Sequence, residues 1–467
     1  MSAPWMVLWH FPAPFPGIEM VLAIALLTAL ALSRRSSTRE AHKRGTRILD
    51  GRAQQRRTAH RQLLFAQPQL TLAGIRINAS DEVKHFKLIG TTGTGKSTAI
   101  RELLVAALER GDRAVITDPD GAYLGRFHDP DRGDVILNPF DRRSLKWDPF
   151  AEIHESYDPD QLASSLIPAT EDASGREWRG YARTFLTAVV RRCGEMGRRD
   201  AAELWRLIAM APSAELRPIV AGTPAQPFLE PENARMFGSI RSVAGSAASA
   251  LEHVLSQRAH PFSVRRWIDE GTGVLFLPYK ASQIAALRTV IATWVRLAIF
   301  QTMMSPEGCD RRLWLVVDEL DALGAIDGLK DALARLRKFG GRCVLGFQSI
   351  AQVSNTYGAS DAQTIVENCS NTLILRCSAS EHGGTSQFAS RLIGERELAR
   401  RTISRGRDGA GFPGGRGSRR SMNVGEQRVT EAAVLASELE QLPDLSGYLK
   451  TASSAVWLRV RLRRASW

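Results

Sequence analysis

Eight consecutive residues, Gly90 to Ser97, carry the clearest chemical signal in this chain. They read Gly-Thr-Thr-Gly-Thr-Gly-Lys-Ser and fit the pattern Gly-x-x-x-x-Gly-Lys-Ser/Thr in full. Glycines let such a loop curl so that its backbone N–H groups converge on phosphate oxygens. At this spacing, Lys96 reaches the β- and γ-phosphates of ATP and Ser97 binds Mg²⁺. The predicted cofactor-binding residues are Gly90, Thr91, Thr92, Gly93, Thr94, Gly95, Lys96, Ser97 and Thr98.

The flanking residues predict the elements that position this loop. Lys84 to Ile89 indicates a strand, and Lys96 to Arg110 repeats apolar residues at helical spacing. A helix that begins at the loop directs the positive end of its dipole toward bound phosphate. Strand, loop and helix in this order predict a P-loop.

An acidic pair far along the chain supplies the carboxylates that a P-loop requires. Leu313 to Val317 is an apolar run that predicts a strand, and Asp318 and Glu319 follow it directly. We expect Asp318 to hold the magnesium ion and Glu319 to orient or deprotonate the attacking water. The pair favours hydrolysis over transfer of a phosphoryl group to a metabolite.

Three further positions are candidates with open alternatives. Gln348 ends the predicted strand 341–347, where its amide would sense the γ-phosphate unless it is an ordinary loop residue. Arg337 precedes the same strand and is either an arginine finger for a neighbouring subunit's nucleotide or a solvated side chain. The segment Asp118 to Gly121 follows a strand that we expect beside the P-loop strand, so it lines the site or is a plain turn.

Strand and helix signals alternate on both sides of a helical block. The alternation in 84–139, 273–376 and 446–462 predicts an α/β fold with a parallel sheet and helices on both faces. Residues 159–267 show almost no strand pattern and predict an all-α domain. The Gly- and Arg-rich segment 404–421 predicts a mobile loop, with nucleic-acid contact as the less favoured alternative.

The helical block separates the P-loop from its carboxylates, so it cannot be a tandem domain without dividing the site. We therefore predict that residues 159–267 are inserted into one nucleotide-binding domain, which is formed by 81–158 and 268–467.

Residues 1–33 predict a membrane anchor. Ile18 to Leu32 is apolar except for Glu19 at its outer edge. A buried core helix is one alternative, and a cleaved signal peptide is the other, but no Lys or Arg precedes the apolar run. Positive charge follows it instead, which predicts a single span with the bulk of the chain in the cytoplasm.

The segment 34–80 is the predicted basic juxtamembrane region. Between Ser33 and Arg61 lie ten Lys or Arg residues and two acids, a local balance of +8 within a total net charge of +13. Anionic lipid headgroups attract such a segment, although a solvated linker is also compatible with it.

The total of 467 residues with 44% hydrophobic content is typical of a globular chain. Five cysteines without metal-binding spacing predict reduced buried thiols.

The order of these motifs resembles the type IV secretion coupling proteins of the TraD and TrwB group. The resemblance runs from about Arg44 to the carboxy terminus. It is carried by RGTR (44–47), GTTGTGKST (90–98), DPDG (118–121), LNPFD (137–141), the helical block, LWLVVDEL (313–320) and LGFQS (345–349).

The resemblance implies a RecA-like P-loop domain with an inserted all-α domain, assembled as a homo-hexameric ring on the cytoplasmic face of the bacterial inner membrane. It implies that ATP hydrolysis drives DNA, bound without sequence preference, through the ring. It also implies as partners a relaxase in its relaxosome and the proteins of a type IV secretion channel. Arg337 matches the intersubunit arginine of the family. Members of the family typically have two membrane spans, whereas one is visible here.

Two other functions remain open from the residues. One is a DNA translocase of the FtsK or HerA type outside conjugation. The other is a membrane receptor that recruits a relaxase or effector proteins and holds nucleotide only as a structural ligand.

Overall fold

The computed structural model describes residues 41–64, 69–168, 173–308, 311–380, 384–407 and 420–463. The predicted membrane anchor lies outside the described residues. Within them, Ile284–Met304 is the one helix long and apolar enough to cross a membrane, but 61% of its apolar window is buried inside the protein. We therefore regard it as a core helix.

The strands, numbered in chain order, are β1 (Ala41–Gly45), β2 (Ile48–Asp50), β3 (Thr71–Leu72), β4 (Ile75–Arg76), β5 (Phe86–Ile89), β6 (Arg113–Pro119), β7 (Val135–Ile136), β8 (Lys146–Trp147), β9 (Pro261–Phe262), β10 (Val274–Tyr279), β11 (Leu313–Val317), β12 (Gly341–Phe347), β13 (Asn371–Ile374), β14 (Glu395–Arg407), β15 (Arg420–Ala432), β16 (Ser446–Lys450) and β17 (Trp457–Arg461).

The α-helices are α1 (Arg52–Leu64), α2 (Ala79–Glu82), α3 (Lys96–Glu109), α4 (Leu124–Phe127), α5 (Asp158–Leu166), α6 (Ala173–Glu195), α7 (Ala201–Ala209), α8 (Ser213–Val220), α9 (Ala234–Leu255), α10 (Val264–Glu270), α11 (Ile284–Met304), α12 (Leu329–Arg335), α13 (Ile350–Tyr357), α14 (Ala359–Asn368), α15 (Gly384–Ile393) and α16 (Ala436–Glu440).

Ten strands form one mixed sheet in the order β2-β17-β16-β13-β5-β12-β11-β6-β10-β7. The strands from β13 to β7 run parallel to one another. Every residue of β5, β10, β11 and β12 is buried, because helices and loops cover both faces of this part of the sheet. Apolar side chains of α3, among them Ile100 and Leu103, join the core beneath β5.

The prediction of a parallel sheet is wrong at its carboxy-terminal strands. β16 pairs antiparallel with β13, and β17 pairs antiparallel with β16. The connection 451–456 is too short for the crossover that parallel neighbours require, so the chain turns back as a hairpin.

The expected neighbour of the P-loop strand is also wrong. β5 lies between β13 and β12, and both β12 and β11 separate it from β6. The turn Asp118–Gly121 therefore follows a strand that borders β11, the strand of the acidic pair. An apolar strand pattern predicts burial but not the position of the strand in the sheet.

The block between β8 and β9 consists of helices α5 to α9 and short 3-10 turns, with no strand among its described residues. β8 and β9 pair with each other, so the chain leaves and re-enters the fold at one place. The boundaries 159 and 267 of a separate all-α domain stay a prediction.

A second compact unit within the described residues contains β1, β14 and β15 in one antiparallel sheet. The prediction of a loop over 404–421 is wrong at both ends, because Ser404–Arg407 pair with Arg420–Asn423, while 408–419 lie outside the described residues. Ion pairs bind the hairpin across its strands: the Glu431 carboxylate contacts Arg396 and Arg400, each at 2.9 Å. The loop was predicted from the Gly and Arg content of this segment, which is not typical of strands.

The cysteine prediction is confirmed for the described residues. Cys193, Cys343, Cys369 and Cys377 are buried free thiols, and Cys309 lies outside them.

Candidate nucleotide-binding site

The glycine-rich loop connects the buried strand β5 to the amino terminus of α3. Gly95, immediately before the helix, has φ 120°, a conformation that side chains rarely tolerate. A Cβ there would also lie 2.8 Å from Leu445 Cδ2. Thr94 closes the turn, since its hydroxyl donates to the Thr91 carbonyl oxygen at 2.7 Å. The backbone is therefore held in a tight curve that opens at the start of the helix.

Lys96 lies buried inside this curve. Its Nζ donates to the carbonyl oxygens of Gly90 at 2.6 Å and Thr91 at 3.3 Å. Burial lowers the pKa of Lys96, while the carboxylates of Asp318 and Glu319 act in the opposite direction. The ammonium is thus directed into the loop, where it would contact a bound phosphate group.

Asp318 joins the loop to the end of β11. Ser97 Oγ donates to Asp318 Oδ2 at 2.6 Å, and Tyr123 OH donates to the same oxygen at 2.7 Å. Asp318 is 5% exposed, and its other oxygen, Oδ1, is buried without a hydrogen-bond partner among the described residues.

This arrangement fits Mg²⁺. A buried carboxylate oxygen without a donor is unfavourable, and a bound cation removes that cost. The hydroxyl of Ser97 and the carboxylate of Asp318 form an all-oxygen donor pair, and Mg²⁺ commonly adds phosphate and water oxygens to one or two protein ligands. Within the described part of the chain, no group of three or more His, Cys, Asp or Glu is suited to a metal ion. A site completed by nucleotide phosphates needs no such group.

Glu319 and Gln348 are joined to the loop through Thr92. Thr92 Oγ1 donates to Gln348 Oε1 at 2.9 Å, and Gln348 Nε2 donates to Glu319 Oε1 at 3.0 Å. Burial and the neighbouring carboxylates of Asp318 and Asp321 raise the pKa of Glu319, and the Gln348 contact opposes this effect. A carboxylate with a raised pKa is a better proton acceptor than an exposed one.

The sheet explains why these side chains meet. β11, β12 and β5 are parallel neighbours, with Val317 level with Leu345 and Phe347 level with Ile89. Their carboxyl ends therefore lie at one edge, where the loop and the polar residues after each strand come together.

Neither Thr98 nor Arg337, both predicted site residues, makes a side-chain hydrogen bond to this group. Thr98 is half-buried in the first turn of α3. Arg337 is exposed in a 3-10 turn at the amino end of β12, whereas Gln348 follows its carboxyl end. The seven residues of β12 separate the two edges by about 23 Å. Within one chain, Arg337 lies far from the loop.

Tyr123 is the residue that sequence reasoning missed. It lies on the turn after β6, two positions beyond the Asp118–Gly121 segment, and is 1% exposed. Asp118 holds this turn: its carboxylate accepts from the backbone N–H groups of Tyr123 at 2.9 Å and Leu124 at 2.6 Å. Burial raises the pKa of Asp118 to about 6. The acidic turn could be recognised in the sequence, but the contact of its neighbour Tyr123 with Asp318 depends on β6 lying beside β11.

Known proteins are similar to this chain in both sequence and fold. Residues 69–463 match the family model described as the type IV secretion-system coupling protein DNA-binding domain. The chain is 30% identical over 391 residues to the coupling protein TraD of Escherichia coli (strain K12), covering 81% of this chain and 52% of TraD. The chain thus spans about half the length of that relative.

Solved structures of the bacterial conjugative coupling protein TrwB superpose on this chain with a TM-score of 0.79. The unbound form is 32% identical and covers 91% of this chain and 95% of its own. The complex with ADP and Mg²⁺ is 31% identical and covers 92% of this chain and 96% of its own.

Proposed function

Because this chain belongs to the type IV secretion-system coupling proteins, we propose that it is an ATP hydrolase that drives DNA toward a secretion channel. The observation that carries the proposal is the junction of the P-loop with the acidic pair. Asp318 accepts from Ser97 at 2.6 Å, and Gln348 links Thr92 to Glu319.

The residues divide the work of hydrolysis. The loop N–H groups and Lys96 bind and orient the β- and γ-phosphates, and Ser97 and Asp318 hold the cation. Bound Mg²⁺ neutralises charge on the phosphate oxygens. Glu319 accepts a proton from the attacking water, and Gln348 holds that carboxylate against the loop through the hydroxyl of Thr92.

Relatives support ATP and Mg²⁺ as the ligands. TrwB has been solved with ADP and Mg²⁺ and with a non-hydrolysable ATP analogue, at 31% identity over 92% of this chain. The bonds of Lys96 to two loop carbonyls are compatible with a site that exchanges these contacts for phosphate oxygens.

DNA is the proposed cargo. The matching family is described as a DNA-binding domain, and the net charge of +13 favours binding to a polyanion. Backbone charge carries no information on base sequence, so we propose sequence-independent binding.

The assembly we propose is a homo-hexamer anchored in the bacterial inner membrane by residues 1–33, with the bulk of the chain in the cytoplasm. It receives a relaxase with its DNA and passes them to the channel proteins. Arg337 then acts on the nucleotide of the adjacent subunit, since its distance from its own loop leaves no role there.

The rate of ATP hydrolysis against DNA concentration tests this function. For the full chain in detergent, we expect DNA to stimulate hydrolysis and added salt to reduce the stimulation, because salt weakens backbone binding. Glu319→Gln is the control for contaminating ATPase. If neither single- nor double-stranded DNA changes the rate, the chain is not a DNA motor. A Glu319→Gln chain that binds ATP without hydrolysing it and still supports transfer would favour a receptor with structural nucleotide.

A further inference from the structure

The Tyr123 hydroxyl donates a hydrogen bond to the carboxylate proposed to hold Mg²⁺. The distance from Tyr123 OH to Asp318 Oδ2 is 2.7 Å, and both side chains are buried. A buried hydroxyl bound to a buried carboxylate restricts the rotation of that carboxylate, because rotation would break the hydrogen bond that satisfies the hydroxyl.

Three contacts hold Tyr123 itself in place. Asp118 accepts from the Tyr123 backbone N–H at 2.9 Å and from Leu124 N–H at 2.6 Å, which anchors the turn to the end of β6. Arg101, on α3, lies over the tyrosine ring at 5.7 Å from its centroid. The hydroxyl therefore approaches Asp318 from a rigid turn.

The two side chains that donate to Asp318 belong to different elements of the fold. Ser97 belongs to the P-loop helix and is itself a proposed cation ligand, whereas Tyr123 belongs to the turn after β6. Both bind Oδ2, which leaves Oδ1 buried and without a donor among the described residues. The tyrosine is the donor to Asp318 that is not itself a proposed cation ligand.

We propose that Tyr123 is a positioning residue for Mg²⁺, holding Asp318 in the orientation that binds the cation with Ser97. This inference rests on the proposed function, because it requires that Asp318 and Ser97 bind Mg²⁺ with nucleotide. It gives the Asp118–Gly121 turn a role: the turn carries the residue that supports the metal ligand.

Substitution Tyr123→Phe removes the hydroxyl and keeps the ring. The test measures equilibrium binding of a fluorescent ATP analogue to the full chain, first in EDTA and then over a range of Mg²⁺ concentrations. Loss of a group that orients a metal ligand typically weakens metal affinity 10- to 100-fold, so we expect the Mg²⁺ concentration for half-maximal tightening to rise by roughly that factor. Affinity in EDTA should stay at the wild-type value, because the loop and Lys96 are untouched.

Tyr448→Phe is the matched control. Tyr448 is 2% exposed and donates to the exposed carboxylate of Glu438 at 2.7 Å, so the change removes a tyrosine–carboxylate hydrogen bond that involves neither Asp318 nor Ser97. Its Mg²⁺ dependence should be that of the wild type.

Two results with Tyr123→Phe would overturn the inference: an unchanged Mg²⁺ requirement, or an equal loss of affinity with and without Mg²⁺, which indicates a structural role only. If the wild-type chain binds no nucleotide, or binds it without response to Mg²⁺, the proposed function fails first. That outcome is visible before any variant is made.

Discussion

Ser97 and Asp318 are 221 residues apart in the chain, yet their side chains share a hydrogen bond of 2.6 Å. The strands β11 and β12 bring them together, because β12 lies between the P-loop strand and the strand of the acidic pair. The helical block that separates them in sequence returns to the fold where it left, through the pairing of β8 with β9. Insertion of that block therefore leaves the site intact.

Lys96→Ala should abolish detectable ATP binding at micromolar nucleotide, because the buried ammonium is the charge directed into the loop. Equilibrium binding of a fluorescent ATP analogue measures this. The matched control is Lys330→Ala, which removes a partly exposed lysine paired with Asp361 at 2.8 Å and should bind as the wild type does. Retention of binding by Lys96→Ala would exclude the loop as the phosphate site.

Glu319→Gln should bind ATP normally and hydrolyse it at a rate near background. The pKa of Glu319 is raised by burial and by Asp318 and Asp321, so its protonated form persists to a higher pH than in an exposed glutamate. Only the deprotonated form accepts a proton from water. The wild-type rate of hydrolysis should therefore fall as the pH is lowered. The fall should begin at a higher pH than the one at which an exposed glutamate becomes protonated.

A pH–rate profile at saturating ATP checks this expectation, with the exposed Glu252→Gln as control. A residual rate in Glu319→Gln that retains the wild-type pH dependence would assign the proton acceptor to another group.

Gln348→Ala should reduce the rate of hydrolysis roughly 100-fold while ATP affinity changes little, because it removes the amide that joins Glu319 to Thr92. Single-turnover hydrolysis separates the two quantities. Gln363→Ala serves as control, since Gln363 makes a similar contact with Glu367 at 2.8 Å on the surface of α14. A wild-type rate in Gln348→Ala would indicate an ordinary loop glutamine.

Gly346→Ala should disturb the cation site through the backbone. A Cβ at this position would lie 2.3 Å from the Asp318 carbonyl oxygen and 3.0 Å from Oδ1. Relief of that overlap shifts β11 against β12, at a cost of about 1–3 kcal/mol in the free energy of unfolding. Chemical denaturation and Mg²⁺-dependent nucleotide binding should both weaken.

Gly238→Ala is the control for this change, because it lies in α9 and no atom approaches an added Cβ within 4 Å. It should stabilise the helix by up to about 1 kcal/mol. If Gly346→Ala binds Mg²⁺ and nucleotide as tightly as Gly238→Ala does, the cation site tolerates a Cβ at position 346 and the prediction is wrong.

The free energy of unfolding should depend on pH through His85. Burial lowers the pKa of His85 from 6.5 to about 4, and the charges of Arg337 and Arg342 act in the same direction. Its Nδ1 accepts from Cys343 N–H at 3.1 Å, so the neutral ring donates from Nε2 to the Leu333 carbonyl at 2.8 Å.

Because the folded-state pKa is the lower one, the stabilisation is complete above pH 6.5 and is lost as the pH falls toward 4. The loss between pH 7 and pH 5 is about 2 kcal/mol. Denaturant titrations at both values should show it, and His85→Gln should lack this part of the pH dependence. The exposed His260→Gln should retain it. Equal pH dependence in His85→Gln and the wild type would contradict the assignment.

Local patterns were sufficient to predict the P-loop and its carboxylates. The glycines, Lys96 and Ser97 lie within eight residues, and the acids directly follow an apolar run. Their chemistry depends on short-range backbone geometry, which nearby residues determine. The family resemblance followed from the order of such local motifs, and the match over 69–463 confirms the family.

Only the tertiary structure decided how the strands pair. It put β12 between β5 and β11, turned β16 and β17 antiparallel, and formed the β14–β15 hairpin where a loop was predicted. It also brought Tyr123 to Asp318, a contact between residues 195 apart. Alternation and apolar runs predict that a strand is buried, but its neighbours depend on packing among distant segments, which no local pattern encodes.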